Sequence, residues 1–464
     1  MDQSFRIETD TLGEVPVPRD AYWGAQSERA RRNFQISKQG IPAPVIRALG
    51  LLKGAMALVH LARGALPEAI GNAIVQAAHE VAENRLDAHF VVDVFQTGSG
   101  TSSNMNANEV IANRACELLG KERGSKHVHP NDHVNLAQSS NDVFPTAVHL
   151  ALALVVEQRL LPALDKLAVK WHELAEATFE LVKLGRTHLM DAMPIRFGQE
   201  FRGHAGQCER GAQRIRAALP GVLEVPLGGT AVGTGVNAPP GLAAQVCAAV
   251  ERRCGIALRE TGNHFQAQSS LDALVHCSGA LRTFATALFK IANDVRWASS
   301  SALAEIEIPV VQPGSSIMPD KVNPVICESV MMLAAQVISN DSAVAFANTQ
   351  GNFQLNTMMP LVARNVVESA SLLASGCETF RELCVSGIQV LRTNEERVRS
   401  SPILATALNE LVGYDRAARI AMESVAKGMT VLEVAAERTG LPAAQLESLL
   451  DPLRLCGELG RQRS

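Results

Sequence analysis

The chain has 464 residues, with Lys+Arg 43 against Asp+Glu 47 and a formal net charge of −4. Apolar residues make up 47% and charged residues 19%, which excludes a disordered or polyelectrolyte chain. There is no basic excess to neutralise a phosphate backbone, which counts against nucleic acid as the main partner. A small anionic ligand is allowed, because positive groups can act locally inside a mildly acidic protein. Aromatic residues are only 4%. The apolar volume must then come from Ala, Leu, Val, Ile and Met, which favours closely packed helices over sheets.

Residues 1 to about 45 contain Pro16, Pro18, Pro42 and Pro44 and read as an extended or irregular lead-in. Helical periodicity runs from Val45 to about Phe90, broken near Gly64 to Pro67. TGSGTSSNMN (97–106) reads as a loop, with a helix from about Asn106 to Leu119 that Gly120 stops. Residues 121–135 are polar and irregular. QSSND (138–142) reads as a helix entry, since Ser and Asn suit an N-cap and Pro145 fits only an early turn. A helical stretch follows from about Thr146 to Lys183, with a break or kink at Pro162. GRTH (185–188) interrupts it. Another helix spans about 198–218, and the Gly-rich 227–241 reads as a loop. Helices are expected at 242–255, 268–300, 325–346 and 357–385, with a long Pro/Gly-rich connection at 305–324. Beyond about 390 the helices shorten, one of them ending at Gly440.

The nine cysteines form no CxxC pair, so zinc-ribbon and thioredoxin readings fail and reduced structural thiols are expected. The N-terminal MDQSFRIETD shows neither a basic n-region nor an apolar h-region. Apolar runs such as Ala55–Ala62 are far short of a membrane span. A cytoplasmic protein without a membrane partner is expected. His127 and His129 form an HxH pair with no third ligand at a sensible spacing, so no metal site is assigned. TGSGTSSN lacks the GK[ST] ending of a phosphate loop.

Long loops in a compact helical protein are often functional. The loops here share Ser, Thr, Asn and Gly plus a single His or Lys, the donor set that a carboxylate ligand asks for. In GSSIMPDKVNP (314–324), Gly314 lets the chain turn, Ser315 and Ser316 add hydroxyls, Lys321 adds a point charge and Asn323 adds amide donors. Together these could hold a carboxylate that gains charge as its neighbouring carbon loses a proton. The same residues also fit a capped helix start with a solvated lysine. Likewise Ser139 and Ser140 fit plain N-caps, His188 a surface histidine at a helix end, and Glu328 a solvated helix residue.

These motifs, taken in order, resemble the fumarase/aspartase superfamily. GSSIMPDKVNP resembles its signature loop. TGSGTSSNMNANEV, HPNDHVN, QSSNDVFPT, GRTHLMDA and GGTAVGTG resemble class II fumarase motifs, and the likeness runs from about Tyr22 to TALNELVGYDRAA in the tail. Six motifs in order are far more specific than one. Ser139-Ser140-Asn141-Asp142 and Thr187-His188 side with fumarase over aspartase, and imidazole suits proton exchange with water near neutral pH.

The resemblance implies reversible hydration of fumarate to (S)-malate without a metal or cofactor. Ser315 would be the base, with its alkoxide stabilised by N–H groups near Gly314 and by Lys321. His188 would activate the water, with Glu328 as its acidic partner. Ser99, Thr101, Ser139, Ser140, Asn141 and Thr187 would bind the two carboxylates, with Lys321 and Asn323 on the one that accumulates charge. Lys126, His129, Asn131 and Asp132 fall where the family has a second, non-catalytic dicarboxylate site. The implied fold is all-α, in three domains (1–137, 138–390, 391–464) with a central five-helix bundle. Four subunits would share a twenty-helix core and build each active site together. The runs 280–295 and 330–340 are apolar over more than one stripe, which independently fits burial between subunits.

Two departures stand out. Ala298 to Ala304 is about three residues shorter than the family's turn and lacks its Gly-Pro, which could re-aim the Ser315 loop. Asp320 replaces what is commonly Gly and puts a negative charge beside Lys321. A catalytically impaired structural member is therefore one alternative; within the enzyme class an aspartase-like ammonia lyase is the other.

Overall fold

The computed structural model describes residues 4–457. It opens with an antiparallel hairpin, β1 (Phe5–Asp10) and β2 (Gly13–Pro18), and a short helix, α1 (Ala25–Asn33). The lead-in, expected to be extended or irregular, is extended over residues 5–18 and paired as a hairpin. Helices α2 (Ala43–Ala62), α3 (Glu68–Ala82) and α4 (Thr101–Leu118) follow. α5 (Ser140–Val155) passes through a wide π turn, Val156–Leu160, into α6 (Leu161–Ala177). Pro162 sits just after that turn, where the loosened ladder tolerates its missing N–H.

The helix expected to reach Lys183 ends earlier. A hairpin takes over, β3 (Val182–Thr187) and β4 (Met190–Arg196), before α7 (Phe197–Val222). Short β5 (Glu224–Val225), α8 (Leu242–Cys254), β6 (Arg259–Glu260) and α9 (His264–Ser269) precede α10 (Asp272–Ala298). Then come β7 (Ile306–Glu307), α11 (Val325–Asn348), the small hairpin β8 (Gly351–Asn352) and β9 (Leu355–Asn356), α12 (Met359–Leu383) and β10 (Gln389–Val390). Six shorter helices from Thr393 to Leu455 complete the described chain, and one stops at Gly440 as expected, in a left-handed cap of φ +71°.

Contacts divide the chain into two compact units. The first comprises residues up to Pro162, Gln213–Ala285 and Ala334–Ala374; the second comprises Ala163–Ala212, Thr286–Leu333 and the residues from Ser375. In the first unit α2 packs on α3 at very close range. A Cβ on Gly50 would lie 2.6 Å from the Ala82 nitrogen and 2.8 Å from the Ala78 carbonyl. Only glycine against alanine permits this, and it is what an aromatic-poor composition makes possible. In the second unit the scarce large rings gather: Trp171, Phe201, His204 and Phe380 stack at 4.9–6.2 Å around Trp171, all buried.

Three helical stretches are long and apolar enough to cross a membrane by length and composition: Ala43–Ala62, Ser140–Ala177 and Val325–Asn348. This corrects the expectation that apolar runs are too short, because continuous helix joins runs that the sequence shows as fragments. In the first two, 78% of the apolar window is buried against protein; in Val325–Asn348 only 39% is. Met332 and Phe346 on that helix are exposed.

Candidate functional site

The candidate residues fall into two groups, one on each unit. On the first unit two helix N-termini carry five of them. α4 opens at Thr101 behind Gly100, whose φ is +75°. The expected loop at 97–106 is therefore helix from Thr101 onward. No side chain caps this helix start, and burial of the helix overrides the loop-like composition of its Ser, Thr and Asn residues. Ser99 Oγ and Thr101 Oγ1 share a hydrogen bond of 2.7 Å. α5 opens at Ser140 with Ser139 as its N-cap: Ser139 Oγ accepts the Asn141 N–H at 3.2 Å, and Asp142 Oδ1 accepts the Ser139 N–H at 3.0 Å. The cap reading of Ser139 thus holds. It is compatible with ligand binding, because the cap uses the oxygen and not the hydroxyl proton.

Asp142 is wholly buried, and its Oδ2 also accepts the N–H groups of Gly228 and Thr230, each at 3.0 Å. Burial pushes its pKa up; the three N–H donors and Lys53 pull the other way. Asn141 Nδ2 reaches the Ala231 carbonyl at 2.8 Å. The Gly-rich loop is therefore tied to the mouth of α5. Helix N-termini present unpaired N–H groups and a positive dipole end, a setting that favours a carboxylate.

Three of the four second-site candidates, Lys126, His129 and Asn131, line a cavity of about 300 Å³ with Thr9, Asp10 and Asn113. His129 Nδ1 accepts the N–H groups of Asn131 (3.2 Å) and Asp132 (3.0 Å), and Lys126 Nζ donates to the Thr9 carbonyl at 2.7 Å. Asp132 is exposed and does not line that cavity. The nearby acids are already engaged, Glu8 by Arg6 and Asp10 by Arg29.

On the second unit, Thr187 ends β3 and pairs with Met190 across a two-residue turn, His188-Leu189. Both turn residues have left-handed φ, +57° and +61°. That is the twist a two-residue hairpin needs, usually supplied by Asn or Gly. A histidine and a leucine held there mark local strain of the kind found at functional positions. The expected interruption at GRTH lies between α6 and α7 and takes the form of a hairpin, with 185–187 ending β3 and His188 in its turn. The hairpin is anchored through Arg186, which pairs with Glu305 and, at 3.0 Å, with Asp191; Lys183 Nζ lies 2.7 Å from the same buried Glu305.

Glu305 closes the turn after α10. Its N–H donates to the Ala298 carbonyl at 2.8 Å, and its carbonyl accepts from Asn394 Nδ2 (2.9 Å) and Leu391 N (3.0 Å). Ala304 takes the strained φ of +45° that a glycine would take freely. The turn is therefore well tied.

The Ser315 loop is closed on itself. The Gly314 N–H donates to the Lys321 carbonyl at 3.0 Å and Asn323 Nδ2 donates to the Gly314 carbonyl at 2.6 Å. A Cβ at Gly314 would collide with the Lys321 carbonyl, so only glycine fits. Ser315 Oγ accepts two backbone N–H groups, from Ile317 at 3.2 Å and Met318 at 3.0 Å. The expected donors near Gly314 are thus replaced by those of Ile317 and Met318, because the Gly314 N–H is engaged in ring closure. Asp320 has φ +63° and makes no ion pair with Lys321 among the described residues. Glycine takes such a φ freely, and Asp is one of the few other residues that tolerate it. Glu328 lies exposed on the first turn of α11; no hydrogen bond or ion pair joins it to His188 within the chain among the described residues.

Sequence reasoning gave no role to Lys53, Asn104, Asp142 or Glu305, all buried. A lone lysine inside the apolar run of α2 was the available signal for Lys53. Nothing local marked Glu305, whose carboxylate partners, Lys183 and Arg186, are more than a hundred residues away in sequence.

Comparison with known proteins fixes the family. A lyase family model matches residues 13–339, and a fumarase C C-terminal model matches 404–457. The class II fumarate hydratase of Thermus thermophilus is 47% identical over 97% of this chain and 98% of its own length. That of Chromobacterium violaceum is 48% identical over 97% and 99%. The chain belongs to the class II fumarate hydratase family. A class II fumarase from Schistosoma mansoni superposes with a TM-score of 0.93 at 34% identity, covering 98% of this chain and 99% of that one. A fumarate lyase/delta crystallin of Brucella melitensis solved with cobalt gives 0.92 at 45% identity, over 97% and 99%. The family fold thus extends over nearly the whole chain.

Proposed function

We propose that the protein catalyses the reversible hydration of fumarate to (S)-malate. The observation that carries the reading is the Ser315 hydroxyl. Two backbone N–H groups converge on its oxygen at the head of a closed loop, in a chain 47% identical to class II fumarate hydratases. Two such donors stabilise an alkoxide, which is what a serine base requires.

In this reading Ser315 removes the C3 proton of malate. Lys321 and Asn323 hold the carboxylate on which charge then accumulates. His188 protonates the leaving hydroxyl, or in hydration activates the water, at the opposite face. Ser99, Thr101, Ser139, Ser140, Asn141 and Thr187 orient the two carboxylates, and effective positioning of this kind supplies much of the rate. Lys126, His129 and Asn131 form a second dicarboxylate site, with Asp132 at its rim. The protein works in the cytoplasm.

The active form is a homotetramer whose sites combine groups from neighbouring subunits. Support comes from the apolar face that α11 leaves exposed and from Glu328, which makes no hydrogen bond or ion pair with His188 of its own chain among the described residues and would meet the His188 of a neighbour. Light scattering on the eluted protein tests the tetramer. The reaction is tested by following the ultraviolet absorbance of fumarate, first with malate and then with aspartate. Signal from malate alone supports the hydratase; signal from aspartate alone would establish the ammonia lyase. No signal from either would point to the impaired member.

A further inference from the structure

Lys53 lies in the middle of α2, in an otherwise apolar stretch, with none of its surface exposed. Its Nζ donates to Asn135 Oδ1 at 2.8 Å and to Gln138 Oε1 at 2.9 Å. Asn135 Oδ1 also accepts Asn104 Nδ2 at 3.2 Å, and the same Asn104 amide donates to Ser140 Oγ at 3.1 Å. Asn104 stands in the first turn of α4 and Ser140 in the first turn of α5. The two helix starts are thus joined through a relay that begins at Lys53.

The relay has a direction. An ammonium has three donors and no acceptor, so Asn135 and Gln138 must turn their oxygens toward it. Asn135 Oδ1 has a second lone pair and accepts Asn104 Nδ2 with it, so Asn104 presents its NH₂ here. The second hydrogen of that NH₂ goes to Ser140 Oγ, so Ser140 accepts on this side and its own proton is available to a ligand.

We propose that Lys53 is a positioning residue for dicarboxylate binding: it fixes the Ser140 hydroxyl as a donor and adds a positive charge behind the first turns of α4 and α5. The inference rests on the assignment of Ser140 and its neighbours to carboxylate binding. Burial lowers the Lys53 pKa to about 7, and Asp142 is the one charged group that acts on it, in the opposite sense. Above neutral pH the amine loses its charge; its two remaining hydrogens still serve Asn135 and Gln138, so the relay keeps its direction and the positive field behind the two helix starts is what is lost. Ligand affinity therefore falls as pH rises.

The test is calorimetric titration of the assembled, full-length protein with succinate, a dicarboxylate that cannot be dehydrated. For the native protein the affinity should drop about tenfold from pH 6 to pH 8.5, the scale of one well-placed charge. Lys53→Met should bind about tenfold more weakly at pH 6 and change little with pH. Lys53→Arg, which keeps its charge, should stay tight at pH 8.5. A native profile without pH dependence would overturn the proposal, as would Lys53→Met with native affinity, or Lys53→Arg falling with pH as the native protein does. If Lys53→Met does not fold, the native and Lys53→Arg profiles decide alone. Succinate binding in the expected pattern without malate turnover would reject the hydratase reading and leave the role of Lys53 standing.

Discussion

Asp142 accepts the backbone N–H of Thr230 at 3.0 Å across 88 positions of sequence. One buried carboxylate thus caps α5 and pins the Gly-rich loop, with Lys53 as its counter-charge. Asp142→Asn keeps the shape but replaces an acceptor by a donor facing N–H groups, and it leaves Lys53 without an opposing charge. Removing one member of a buried charged set costs about 3 kcal/mol or more. Chemical denaturation should show a loss on that scale. A loss under about 0.5 kcal/mol, the range of ordinary surface substitutions, would mean that the carboxylate is not carrying these contacts.

Ser315→Ala removes the proposed base and only a loop contact, since the ring is closed by Gly314, Lys321 and Asn323. Turnover of malate should fall by about 10³-fold, within the usual range for a general base, with an unchanged circular dichroism spectrum. Near-normal turnover would reject the assignment.

His188 must keep left-handed backbone geometry, which Asn tolerates well. His188→Asn should therefore preserve the hairpin and lose the chemistry, lowering kcat by about 10²-fold or more with little change in melting temperature. Leu189→Gly relieves strain at φ +61° and should leave kcat intact. A drop in kcat for Leu189→Gly would show that the strain itself serves catalysis.

Glu305→Gln leaves Lys183 and Arg186 facing a neutral amide. Arg186 keeps Asp191 and Lys183 keeps Glu200, so the loss should be moderate, about 2–3 kcal/mol, and should loosen both the hairpin and the turn after α10. Hydrogen exchange at Thr187 and Ala304 should accelerate together. Acceleration at only one of them would show that Glu305 does not couple the two.

His149 is buried, bonds the Val222 carbonyl through Nδ1 at 2.7 Å, and burial lowers its pKa to about 4. The unfolded chain takes up the proton near pH 6.5, the folded one only near 4. The folded state is therefore favoured fully above 6.5 and loses stability as pH falls from 6.5 toward 4. The slope is about 1.4 kcal/mol per pH unit for this group. Denaturation midpoints should decline over that window, and His149→Leu should decline less steeply over the same range.

Composition and motif order in the sequence were enough for the helical class and the family, because helical periodicity and ordered short motifs are local. Gly440 and the Ser139 cap were legible for the same reason: a single residue's backbone preference sets each. The two longer hairpins were not legible. β1–β2 lies among prolines, and β3–β4 follows directly on a helix, so pairing between strands decided what local propensity did not. The start of α4 was hidden by a loop-like run of Ser and Asn that burial turns into helix. The site shows the same division. Ser315, His188 and Lys321 could be named from their motifs, whereas the donors on Ser315 Oγ, the left-handed tip at His188 and the Lys53–Asn135–Asn104–Ser140 relay could not. Those depend on which groups meet across long sequence separations, and a buried donor or acceptor must find its partner wherever the fold places one.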